Sequence, residues 1–302
     1  DYIYPKIDTE QEYLPSFLPK PEIKLTVIGK NHEYGAYLLP FHLVQQYDES
    51  IIKKIFEGSK NGWNAIKSVD KTIEGGLKKN WKEFTMWNYN KKPVKNYKDK
   101  SGKFSTQSSD EGANADMVFV AGLGKTDIDT KELEALTSQV IDIDIDNDGG
   151  KVKKVIFKDL NNFTGKSERA AIKAIIYLNG NEEPYTEDWT DKAKRAFCLD
   201  YAKEDVKRVV LITSNAQLDS KITKTKLTAE TKESCYDISQ GETMQINPIF
   251  GLSPTYRGTL VYSAEGELKG KVDAKAEYPY LGKWKVNVDY SENFPAQTLM
   301  AM

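Results

Sequence analysis

VIDIDIDNDGGKVKKVIFK, residues 140 to 158, is the stretch on which the fold turns. From Val140 to Asp146 apolar and acidic residues alternate without a break. Ile141, Ile143 and Ile145 fall on one side of an extended chain, and Asp142, Asp144 and Asp146 on the other. Asn147-Asp148-Gly149-Gly150 is a turn signal and KVKKVIFK returns, so the stretch predicts two strands of a half-exposed hairpin. Its acidic row then faces Lys151 and Lys153 across the turn, an arrangement that is mildly stabilising. The same residues also carry the start of an oxygen-ligand loop, D-x-D-x-D-G. On that reading Asp144, Asp146 and Asp148 are candidate calcium ligands, and calcium is the one cofactor proposed. Val155 stands at the twelfth position, where such a loop places a bidentate Glu.

Upstream the period is helical. Tyr34, Tyr37, Leu38, Phe41, Val44 and Tyr47 recur at three- and four-residue spacing, with Pro40 as a kink or first-turn residue. Asp48 reads as an N-cap, Ile51, Ile52, Ile55 and Phe56 as an inward face, and Gly58 as the helix stop. Two more helices are expected, one from Asn61 carrying Trp63, Ile66, Val69 and Ile73, and one presenting Leu77, Trp81, Phe84 and Trp87 after the Gly75-Gly76 break. Lys91 to Asp116 is polar and reads as a long loop or linker.

Downstream the period is two. Strands are expected at 117–120, 171–178, 206–213, 243–249, 256–263, 268–278 and 283–290, with a short helical excursion at 188–197 and a Lys/Thr-rich connector at 219–232. The fold class is therefore α+β, an N-terminal helical subdomain followed by one or two antiparallel β-sandwich-like modules. The expected division is 1–92 helical, 93–115 linker or long loop, 116–218 a β-sandwich-like module and 219–302 a second antiparallel β module.

Composition narrows the function. In 302 residues, 43 basic side chains meet 45 acidic ones, a net charge of −2, and this balance argues against a nucleic-acid protein. No apolar run is long enough for a membrane span. The two histidines, His32 and His42, stand ten positions apart, roughly 15 Å along a continuous helix, and cannot share a metal there. They read as surface or capping residues. No G-x-S-x-G elbow exists for a nucleophilic triad. Gly122-Leu123-Gly124-Lys125-Thr126 resembles the end of a phosphate loop, but Phe119 stands where its first Gly belongs. No catalytic residue is assigned. Cys198 and Cys235 allow one disulfide or two buried thiols. Tyr278, Tyr280 and Trp284, in EYPYLGKW, are candidate glycan-stacking residues, with strand core as the plainer alternative. Asn162-Phe163-Thr164 fits a glycosylation sequon.

Several segments together resemble a known family. They are HEYGAYLLPFHLVQQYDESIIKKIFEG (32–58), NGWNAI (61–66), FTMWNYN (84–90), CLDYAKEDVKRVVLITSNA (198–216) and YRGTLVYS (256–263). The chain is similar to the C-terminal portion of secreted bacterial and archaeal zinc-metallopeptidase-like proteins of the gluzincin type. There an HExxH helix precedes a stretch like Asp1-Tyr2-Ile3-Tyr4-Pro5, and helices and β-sandwich modules follow. No HExxH stands in this sequence, so no zinc ligand is carried over, and the chain reads as a processed product or a part of something longer. The resemblance implies an extracellular or cell-surface scaffold and binding region. The alternative is a non-enzymatic adhesion, glycan-binding or surface-assembly protein. Either way the expected partners are an extracellular protein or polysaccharide, or further copies of the chain, with no nucleic acid.

Overall fold

The computed structural model describes residues 13–29, 31–91, 93–94, 96–97, 112–180 and 183–235, and four strands beyond them. The protein is α+β and divides into two compact units, Asp1–Cys235 and Tyr236–Met302. The division falls after Cys235. It does not fall at 93–115 or at 218/219, because helices and strands on both sides of those points share cores.

Helices come first: α1 (Leu14–Phe17), α2 (His32–Gly35), α3 (Leu38–Gln46), α4 (Ser50–Gly58), α5 (Ala65–Thr72) and α6 (Gly76–Trp87). Pro40 lies in the first turn of α3, where its missing N–H costs nothing. Asn64 caps α5 by accepting the Lys67 N–H at 2.8 Å. Gly75 and Gly76, at φ of 73° and 60°, turn the chain into α6. Leu77, Trp81 and Phe84 line one core with Leu38, Leu43 and Ile73, as their spacing requires. Phe56 does not join them and is 72% exposed, because α4 turns only Ile51 fully inward.

Gly58 is not the helix stop expected from sequence. It is helical (φ −59°), and the left-handed residue is Gly62 at φ 72°. A β-carbon at Gly58 would sit on the Ser68 hydroxyl of α5, which donates to the Ile55 carbonyl. Gly58 is thus a close-approach residue between α4 and α5. Gly58→Ala is expected to cost about 1 kcal/mol in urea denaturation, overpacking winning over a helix-propensity gain of similar size. A stabilised variant would contradict this packing.

Strands fill the rest: β1 (Ala115–Ala121), β2 (Gly124–Asp129), β3 (Thr137–Asp146), β4 (Lys154–Lys158), the short helix α7 (Asn161–Thr164), β5 (Ala170–Leu178), β6 (Tyr185–Asp188), β7 (Arg195–Cys198), β8 (Val206–Asn215) and β9 (Lys226–Lys232). The first sheet runs β1-β3-β8-β5-β6, with β1 parallel to β3 and the other pairs antiparallel. The second, β2-β9-β4-β7, is antiparallel throughout. Ile141, Ile143, Val209 and Leu211 from the first sheet share a core with Val155, Phe157, Phe197 and Leu227 from the second. On the first sheet's other face Val140, Ile175, Val210 and Ile212 pack with Met86 and Tyr89. With apolar partners on both faces, β5 is buried at every position and β8 nearly so, which explains their unbroken apolar runs.

Three expectations are corrected. Val140 to Lys158 is not a hairpin: β3 pairs with β1 and β8, β4 with β7 and β9, and residues 147–153 cross between the sheets. Residues 188–197 are the end of β6, a turn and β7 rather than a helix. The connector 219–232 contains β9, whose inward row is Leu227, Ala229 and Thr231. In the second unit, β10 (Met244–Ile246), β11 (Arg257–Val261), β12 (Lys269–Lys275) and β13 (Val286–Asp289) form an antiparallel meander.

Candidate functional site

Both histidines are core residues, not surface or capping ones. His42 is fully buried and packs edge-on to Trp87 at 4.6 Å and against Phe84 at 5.6 Å between ring centroids. Neither of its ring nitrogens has a hydrogen-bond partner, and burial lowers its pKa to about 4. His32 lies against Phe17 at 4.8 Å, with Nδ1 3.4 Å from the Ser16 carbonyl oxygen; burial lowers its pKa as well. Both imidazoles are therefore neutral at pH 7 and held among aromatic rings.

The alternating carboxylates separate along β3. Asp142 is buried and holds the Arg208 guanidinium at 2.7 and 2.5 Å. Arg208 also donates to the Tyr89 hydroxyl at 3.1 Å and lies 4.9 Å over the Tyr177 ring. Burial raises the pKa of both phenols, so neither serves as a base near neutrality. Asp144 and Asp146 follow at strand spacing, and Asp146 is spent on the Asp148 N–H at 2.9 Å. Asp148 receives Lys151 at 3.2 Å. Among the described residues Asp144, Asp146 and Asp148 are not a group whose carboxylate oxygens all lie within 4.8 Å of one another.

Cys198 and Cys235 are joined in a disulfide, with Cα atoms 5.1 Å apart, tying β7 to the chain just after β9. Asp200 lies beside them, but bonded sulfurs offer no thiolate to a metal. Tyr278, Tyr280 and Trp284 lie outside the described residues. Gly122 and Leu123 form the turn from β1 to β2, and Lys125 and Thr126 are strand residues of β2.

The open site is elsewhere. A groove of about 640 Å³ runs between the first turns of α6, the segment from α7 into β5, and the β6–β7 connection. Lys78, Lys79, Lys82 and Lys192 line it with Glu168 and Asp191. Each lysine has a carboxylate: Lys78 with Glu168 at 3.4 Å, Lys79 with Glu74 at 2.8 Å, Lys82 with Asp188 at 2.5 Å and Lys192 with Glu187 at 2.9 Å. Asp191 is exposed and has no ion pair or hydrogen bond among the described residues.

Buried ion pairs fix the walls. Arg169 grips Asp70 through two bonds of 2.9 and 3.1 Å, and Asp70 accepts the Leu77 N–H at 2.8 Å. Lys173 of β5 pairs with Glu83 of α6 at 2.7 Å. Burial opposes ionisation of Glu187, but Arg195, Lys192 and the Trp189 indole outweigh it and hold the carboxyl at about 2.

The groove residues carry no local signature. They come from three separate segments, 75–82, 161–171 and 190–193, and only the Lys78–Lys82 interval, one helical turn, hints at a shared exposed face.

No family model, no curated protein and no solved structure matches the chain.

Proposed function

We propose that this chain is a non-catalytic binding module of an extracellular or cell-surface protein, presenting its groove to an extracellular partner. In this reading the two sheets with a common core are its β-sandwich-like body, and α1 to α6 are the helical subdomain, of which α6 walls the groove. The observation that carries the reading is the Cys198–Cys235 bond, which uses every cysteine in the chain. Such bonds persist in oxidising compartments and are reduced in most cytosols. The placement of both histidines among aromatic rings supports a binding role over hydrolysis, since a triad or a zinc site draws first on histidine. No helix among the described residues is long and apolar enough to cross a membrane, which fits a module carried outside a bilayer.

The test is alkylation of the protein taken from its native source, before any reductant is added. Cys198 and Cys235 are expected to stay unmodified until reduction. Full alkylation of both thiols in the unreduced, denatured sample would overturn the extracellular assignment.

A further inference from the structure

We propose that the groove between α6 and the β6–β7 connection binds a neutral oligosaccharide. The inference rests on reading the chain as a binding module and names the ligand class of that module's open site.

The groove's volume, about 640 Å³, lies within the range of roughly 300–1,000 Å³ typical of small-ligand sites, and its open form suits a short chain rather than an enclosed compound. Its electrostatics decide the class. Four lysines look at first like an anion site, but each is matched by a carboxylate within 3.4 Å, so the walls alternate in charge and offer no net positive field. A polyanion seated here must displace Glu168, Glu74, Asp188 or Glu187 from its lysine and then lie beside that carboxylate. A hydroxyl group meets no such conflict. It donates and accepts at once, so it can bridge an ammonium and its neighbouring carboxylate without breaking the pair.

The remaining lining agrees. Ala170, Ala171 and Ala193 make a small, shallow floor, and no large aliphatic or aromatic side chain lines the groove, so apolar ligands find little area to bury. Thr190 accepts the Ile172 N–H at 3.3 Å, which leaves its own hydroxyl proton to donate. Asp191, exposed and without a partner among the described residues, supplies an acceptor with two oxygens, the geometry a vicinal diol takes. The walls are set before any ligand arrives: Lys173–Glu83 fastens α6 to β5, and Asp70, at the end of α5, holds both Arg169 just before β5 and the Leu77 N–H of α6, so little ordering is left for binding to cost.

The experiment is calorimetric titration of the whole chain with a panel of linear oligosaccharides of equal length. Neutral gluco-, manno-, galacto- and xylo-oligosaccharides are compared with oligogalacturonate and heparin fragments. At least one neutral member is expected to bind, with the charged members tenfold or more weaker and with no loss of affinity at high salt. Asp191→Ala and Ala193→Trp change exposed residues, leave the fold intact and are each expected to weaken that binding tenfold or more. Failure of every neutral member to bind overturns the proposal, as does equal or tighter binding of the charged members. Neutral binding that survives both substitutions overturns the groove as the site while leaving the module reading in place. Alkylatable cysteines in the native protein remove the extracellular reading and leave the groove result untouched.

Discussion

Lowering the pH from 6.5 to 4 is expected to remove about 3 kcal/mol of folding stability through His42 alone. The ring is fully buried, both nitrogens lack partners, and Trp87 and Phe84 press against it. Desolvation therefore penalises the imidazolium and holds the folded pKa at about 4, against 6.5 for a histidine in water. The sign follows from proton uptake. Above 6.5 both folded and unfolded chains carry neutral His42 and nothing is lost. Between 6.5 and 4 the unfolded chain binds a proton that the folded chain refuses, so stability falls as pH falls. Below 4 the loss levels off.

His32, also lowered by burial, pushes in the same direction. Glu187 acts in a separate window. Its depressed pKa contributes stability above 4.5 that is lost as pH falls toward about 2. Urea denaturation of the chain and of His42→Leu across the 6.5-to-4 window separates these terms. The leucine variant is expected to lose less by about 3 kcal/mol, and parallel pH profiles for the two proteins would show that His42 is not a buried neutral ring.

Asp70→Ala is expected to destabilise the chain by about 3 kcal/mol, the lower end of the cost of breaking a buried ion pair. Asp70 has only 5% of its side chain exposed, while Arg169 keeps 25%, and this partial hydration of the orphaned cation moderates the loss. The substitution also frees the Leu77 N–H at the start of α6 and unfastens α5 from the strand side of the unit. Arg169→Met in the same chain removes the uncompensated charge, so the double variant is expected to regain part of the loss. A cost below about 1 kcal/mol, the value of a surface pair, would show that water reaches Asp70 freely. Because helices and strands still share apolar cores, the unit is expected to unfold in a single transition in both variants.

The two results bear on how much of the molecule was legible in its residues. Leu77, Trp81 and Phe84 declared a buried helical face because a 3.6-residue period survives any tertiary arrangement. Ile141 and Ile143 declared a strand face for the same reason. His42 and Asp70 carried no such declaration. Burial of a polar residue depends on which surfaces close over it, and a local pattern does not record that. The same limit hid β9: its inward row holds one leucine, one alanine and one threonine, too little apolar content to stand out from a connector.

From the sequence alone came the α+β class, the helical block, most strands, the near balance of basic and acidic side chains and the pair of cysteines that any disulfide had to use. These are properties of period, composition and count. Tertiary structure decided the rest: that β3 leaves its neighbour β4 for β1 and β8, that both histidines vanish into aromatic packing, that Asp142 is spent on Arg208, and that three distant segments enclose a groove. The physical reason is that a strand's alternation fixes which face is buried but not which strand lies beside it. Pairing is chosen by burial on both faces at once, and a site assembled across that pairing exists only after the choice is made.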